Sequence, residues 1–163
     1  MARVSAEAFR ARLLDLLPIY AATGRRIAAL DLPPVDDRTA ALALADAAVR
    51  RWARDALAVA SEREDVFDGV AGSLRELRPV TDNASAGAAA EVAGDLATLA
   101  RPMPGHVDLV DVASHSAKAA TAASEGRWED VGTAAGDALY ARIDAGTEYV
   151  VSEAGDALAA VGR

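Results

Sequence analysis

The 163-residue sequence contains no cysteine, a single lysine (Lys118) and only seven aromatic residues. Without cysteine, the chain can form no disulfide, thiol nucleophile or cysteine-ligated zinc site. No stretch approaches the roughly 18 uncharged apolar residues that a membrane-spanning helix needs. Residues 1–30 carry charges at Arg3, Glu7 and Arg10, so they do not resemble the apolar part of a signal peptide. We therefore expect a cytoplasmic protein without a membrane span, with secretion without a cleaved leader as the alternative.

Large apolar side chains are also scarce. Apolar residues make up 52% of the chain, but 42 of them are alanine. Leu, Ile, Val and Phe together supply 36 of 163 residues, just above the level at which disorder is the default expectation. The core is therefore expected to be thin, and its helices must approach closely. The small residues of the segment 132–136, with glycine at both ends, are suited to such an approach.

The charge is strongly acidic. There are 25 acidic and 17 basic residues, which gives a net charge of −8. Phosphate backbones and anionic membrane surfaces repel such a chain at long range. We expect no nucleic-acid partner.

Apolar residues recur at helical spacing along the chain, and no window alternates as a strand would. Pro18 is expected to kink or split the first helical segment, and the residues 101–105 to break the third. Short links between long helices favour antiparallel neighbours. The predicted fold is a single all-α domain over 1–163, an elongated up-down-up-down four-helix bundle of amphipathic segments at 5–30, 38–78, 82–125 and 128–161.

The second segment has the most regular pattern. Its apolar stripe keeps one phase through a sequence at 61–64 that has the form of a capping box. We therefore predict one near-continuous helix over 38–78, roughly 60 Å long. The stripe consists of Leu42, Ala45, Val49, Trp52, Ala56, Val59, Arg63, Phe67, Val70, Leu74 and Leu77.

Helix starts are predicted from residues that favour N-cap positions. Ser5 is expected to begin the first segment, Asp36 or Asp37 the second, and Thr81 or Asp82 the third.

One cluster has the residue types of a metal site: His106, Asp108, Asp111 and His115. Asp108, Asp111 and His115 share a helix face, and helical bundles do hold metals on inward side chains. The apolar side of this helix, however, lies nearly opposite. We expect a solvated face and no tightly bound metal, and no residue is assigned to catalysis or to a cofactor.

Arg50, Arg51 and Arg54 surround Trp52 and look like a basic-aromatic patch. Trp52 belongs to the apolar stripe, so it is expected in the core. Asp46 precedes Arg50 by four residues and Asp55 follows Arg51 by four, which predicts ordinary ion pairs on the helix surface. This interpretation makes a phosphate site unlikely to form here.

Two short segments, 140–144 and 149–153, resemble the Tyr-x-x-x-Asp/Glu export signal of type VII secretion substrates, which are also alanine-rich, acidic and helical. The Trp-x-Gly turn that accompanies this signal is absent, because Glu129 and Asp130 follow Trp128. The resemblance implies export as one hypothesis.

The sequence favours a non-enzymatic helical protein that acts through its surfaces as a structural, adaptor or accessory subunit. The alternatives are an amphipathic coat or type VII-like secreted protein, and an enzyme or small-molecule binder that uses the bundle interior. Leu44 and Val151 lie off the apolar stripes, where several such residues together would form an interface. We expect a homo-oligomer, most simply a symmetric dimer, or an obligate protein partner.

Overall fold

The structure, a computed structural model, describes residues 3–17, 21–63, 68–102, 107–142 and 147–161. Within these residues it is all helical, which confirms the predicted fold class. The helices are α1 (Val4–Leu16), α2 (Ala21–Ala28), α3 (37–63), α4 (Asp68–Glu76), α5 (Asn83–Ala100), α6 (Val107–Ser124), α7 (Trp128–Arg142) and α8 (Thr147–Val161). None of these described helices is both long and apolar enough to cross a bilayer.

Helix α3 changes its winding midway. It is α-helical over Asp37–Asp46, π-helical over Ala47–Ala53 and α-helical again over Arg54–Arg63. Asp36 caps its start by accepting the Thr39 backbone N–H at 2.8 Å, as predicted. A π-helical turn is rare and is often found near functional sites.

The prediction of one helix over 38–78 is wrong. Helix α3 ends at Arg63, and the backbone N–H of Val80 donates to the Asp46 carboxylate at 2.8 Å. In a continuous helix these two residues would lie about 50 Å apart. The chain therefore returns along α3, and α4 packs against α5 and against the last part of α3. Two separate helices share one apolar phase because each buries one side.

The remaining predicted segments are also pairs of helices. The first is divided into α1 and α2, with Pro18 outside the described residues. The third is broken after Ala100, close to the predicted position, but its two halves form an antiparallel hairpin, since Asn83 Nδ2 donates to the Ser124 carbonyl at 3.3 Å. The fourth is divided into α7 and α8. Eight described helices thus take the place of the four long ones.

The helices pack in two layers. α1, α7, α6 and α5 lie side by side in that order, and α3 packs across them. α8 flanks α3 on one side and also contacts α2. α1 and α7 run parallel, because Ser5 contacts Gly132 while Arg12, further along α1, pairs with Asp137.

Alanine fills much of the core, as the composition predicted. Trp52 is 1% exposed and stacks on Phe9 with ring centroids 5.9 Å apart, which confirms its predicted burial. Leu44 and Val151 are buried as well. The prediction that they mark an interface is wrong, because α3 and α8 are covered on more than one side.

Two of the three predicted helix starts have the expected caps. Asp82 begins α5 in a capping box, in which its carboxylate accepts the Ser85 backbone N–H and the Ser85 hydroxyl accepts the Asp82 N–H. Ser5 is not a cap: it lies inside α1, fully buried, because α1 begins one residue earlier at Val4.

Candidate functional site: the groove along α3

A groove of about 660 Å³ runs along the outer side of α3 and is open to solvent. Val80 and Thr81, which lead into α5, form one bank, and the last turns of α8 form the other. Small side chains at Ala43 and Ala47 lie along its floor. Four arginines of α3 line it: Arg38, Arg50, Arg51 and Arg54.

Asp46 organises the middle of the groove. Its carboxylate accepts hydrogen bonds from Arg50 Nε at 2.7 Å and Arg50 Nη2 at 2.9 Å, which confirms the predicted pair. The same carboxylate accepts the Val80 N–H and so fixes the near bank. The hydrogen bond to Asp46 raises the pKa of Arg50 above its usual range. Arg50 is thereby held in one orientation, with Nη1 left outside the bidentate contact.

Arg51 does not pair with Asp55, as the sequence had suggested. Its Nε lies 2.9 Å from Glu153 Oε2, and its Nη2 lies 3.5 Å from Asp156 Oδ2, both on α8. The Glu153 contact has ion-pair distance but not hydrogen-bond geometry, since Oε2 is buried without a hydrogen-bond donor. The two contacts attach the far bank of the groove to α3.

Arg38 and Arg54 are exposed, and no described carboxylate lies within ion-pair distance of either. Arg38 still acts on the N-cap carboxylates nearby: the pKa of Asp82 is lowered chiefly by the hydrogen bonds from Ser85, and the charge of Arg38 adds to that lowering. Arg54 has no comparable partner among the described residues. It is the guanidinium of this groove that a ligand or partner would find unmatched.

The predicted metal cluster is not brought together in the described residues. His106 lies outside them, and for Asp108 only the backbone is described. Asp111 is exposed, whereas His115 is half-buried rather than on a fully solvated face. No group of three or more His, Asp or Glu side chains in the described ranges could hold a metal ion.

His115 instead adjoins an ion pair between two other helices. Arg12 Nε of α1 lies 2.7 Å from Asp137 Oδ1 of α7. Burial lowers the pKa of His115, and the negative charge of Asp137 opposes this lowering without cancelling it. Its Nδ1 is buried and has no hydrogen-bond partner among the described groups. Neutral imidazole is therefore the form that the fold favours.

This preference predicts a pH dependence of stability. Because the pKa of His115 is lower in the folded chain than in the unfolded one, the unfolded chain binds the extra proton first. Its contribution is fully present above the unfolded value of about 6.5 and falls as pH falls towards the folded value. We expect His115→Gln to reduce the loss of stability between about pH 7.5 and 5.5 in urea unfolding. Equal slopes for the variant and the wild type would contradict this.

The residues of the export-like segments are divided in the fold. Tyr140 and Tyr149 are exposed, and the Arg142 guanidinium lies 5.9 Å from the Tyr149 ring centroid. Glu153 is engaged with Arg51, and Asp144 lies outside the described residues.

The sequence identified the arginines of the groove but not what surrounds them. The spacing of Asp46 and Arg50 was a sufficient signal for their pair. Nothing local to Arg51 indicated Glu153 as its partner, and nothing in the periodicity distinguished the π-helical turn.

No protein-family model, curated protein or solved structure matches the chain. The functional argument therefore depends on the geometry of the chain itself.

Proposed function

We propose that the protein is a non-enzymatic helical subunit that acts through its surfaces, as a structural, adaptor or accessory protein bound to a second copy or to another protein. The observation that carries this proposal is how the described interior is filled. Its largest buried side chains are Trp52 and Phe9, which stack on each other, and alanine occupies much of the remainder.

The buried polar side chains of the described interior support the same proposal. They are Ser5, Thr23 and Ser116. Ser116 Oγ donates to the Ala48 carbonyl at 2.8 Å, so this hydroxyl joins α6 to α3. A small-molecule site usually needs a cavity with several polar groups that converge on it. The concave feature with converging charged groups is the α3 groove, which is open to solvent and suits a protein surface better than an enclosed ligand.

The alternatives have less support. A coat protein needs a continuous exposed apolar face, whereas the exposed large apolar residues of the described chain are Leu99, Tyr140 and Tyr149. Binding of a dye that reports apolar surface would favour that hypothesis, and a rise in melting temperature with a small ligand would favour the binder. The cytoplasmic location remains a prediction from the sequence.

The proposal is tested by mass in solution and by native co-purification. The monomer has a mass of 16.7 kDa. We expect light scattering to give a larger mass that falls over a tenfold dilution from roughly 50 µM, or a stoichiometric partner to co-purify. A monomeric mass throughout, together with an empty native pull-down, would contradict the proposal.

A further inference from the structure

The outer face of α5 is convex, acidic and made of small side chains. Ala84, Ala88, Glu91, Asp95 and Leu99 are all exposed and recur at intervals of three or four residues, so they share one face. Leu99 is 39% exposed, one of the most exposed large apolar residues that the structure describes. Neither Lys nor Arg occurs between residues 83 and 100. Helix α5 therefore presents negative charge beside an apolar side chain.

The two carboxylates of this face have no partner within the described chain. Glu91 and Asp95 are both exposed, and no described cation lies within ion-pair distance of either. They are four residues apart, which places them about 6 Å apart along the helix axis.

The α3 groove has the complementary charges and shape. Arg50 and Arg54 are also four residues apart and both line the groove. Arg54 lacks an ion pair, and Arg50 uses Nε and Nη2 for Asp46, which leaves Nη1 for a further acceptor. Asp46, Glu153 and Asp156 already balance Arg50 and Arg51, so the charge available to a partner is concentrated at Arg54. Small residues on the floor allow another helix to approach closely.

We propose that the α3 groove binds the outer face of α5 from a second copy of this chain, with Asp95 and Glu91 of one copy against Arg54 and Arg50 of the other. This inference rests on the proposed function and names its partner. The outer face of α5 is directed away from its own chain, so it meets a groove only in another copy. Two copies close the arrangement if each supplies both surfaces; otherwise the contact extends into a ring or chain.

The association is expected to be weak and sensitive to salt. Exposed ion pairs contribute about 0.2–1 kcal/mol each, and salt screens them. The groove floor and Leu99 supply a modest apolar contact in addition. The oligomer should therefore dissociate on dilution and at high ionic strength.

Charge reversal and charge exchange test the contact. Arg54→Glu and Asp95→Arg should each weaken self-association roughly fivefold or more, and the chain carrying both substitutions should recover most of the loss. Arg25→Glu and Glu129→Arg, which change exposed charges on α2 and α7, are the matched controls and should leave the mass unchanged. The measurement is sedimentation or light scattering over a dilution series, with the melting temperature as the check on folding.

Each outcome separates this contact from the proposed function. If the wild type self-associates but neither reversal weakens it, or if the exchange does not restore it, the contact is wrong while a self-associating subunit remains. If the wild type is monomeric and a different protein co-purifies, the contact is again wrong and the surface function stands. If the wild type is monomeric and nothing co-purifies, both fail.

Discussion

Replacing Gly132 with alanine should lower the free energy of unfolding by about 2 kcal/mol or more. An added Cβ at Gly132 would overlap the Ser5 carbonyl oxygen and would lie 2.8 Å from the Phe9 backbone nitrogen. Both atoms belong to the backbone of α1, so no side-chain rotation relieves the clash. The helix itself would have to move away from α7, and this loss outweighs the roughly 1 kcal/mol that alanine gains over glycine in a helix.

Gly94→Ala is the matched control. Gly94 also lies inside a helix, but an added Cβ there would meet nothing within 4 Å. This variant should be more stable than the wild type by about 0.5–1 kcal/mol, the ordinary gain from alanine in a helix interior. Urea unfolding measures both variants. If Gly132→Ala also stabilised the protein, the close packing of α1 on α7 would be wrong.

The close approach at Gly132 could be predicted from the sequence, but the partner helix could not. A chain with few large apolar residues needs helices that pack closely, and the glycines at 132 and 136 marked one smooth face. That α1 occupies this face in a parallel orientation depends on contacts between residues more than a hundred positions apart. Local periodicity contains no information about such pairs.

The predicted helix over 38–78 failed for a related reason. Hydrophobic phase shows which side of a helix is buried, but not whether the helix continues. Helices α3 and α4 keep one phase, yet Val80 returns to bind Asp46. The decisive contact joins a backbone N–H to a carboxylate far away in sequence, and no apolar pattern predicts it.

The candidate site divides in the same way. Asp46 and Arg50 pair within one helix, and their spacing was enough to predict the contact. Arg51 is equally well placed for Asp55, but α8 brings Glu153 and Asp156 to it instead. Local pairs follow from helical geometry, whereas the choice between a local and a distant carboxylate depends on how the layers assemble.

Truncating Trp52 to alanine should destabilise the protein by about 3–5 kcal/mol. The side chain is 1% exposed, and its ring stacks on Phe9 at an interplanar angle of 7°. It lies in the π-helical turn of α3, opposite the groove, where α3 packs across the other layer. Its removal leaves a cavity among alanines, which have no side-chain freedom with which to fill it. Trp128→Ala is the control, since Trp128 is only partly buried and should cost less.

Trp52→Phe distinguishes the packing of the ring from its polar atom. Trp52 Nε1 is buried without a hydrogen-bond partner among the described groups, and an unpaired buried donor costs about 1–3 kcal/mol. Phenylalanine removes that donor and keeps an aromatic ring against Phe9, so Trp52→Phe should lose much less stability than Trp52→Ala. Mass measured beside unfolding separates core from interface: a core residue lowers the unfolding midpoint at every concentration. A variant that instead remained equally stable as a folded monomer while its oligomer dissociated would place Trp52 at a surface between chains, against the burial described here.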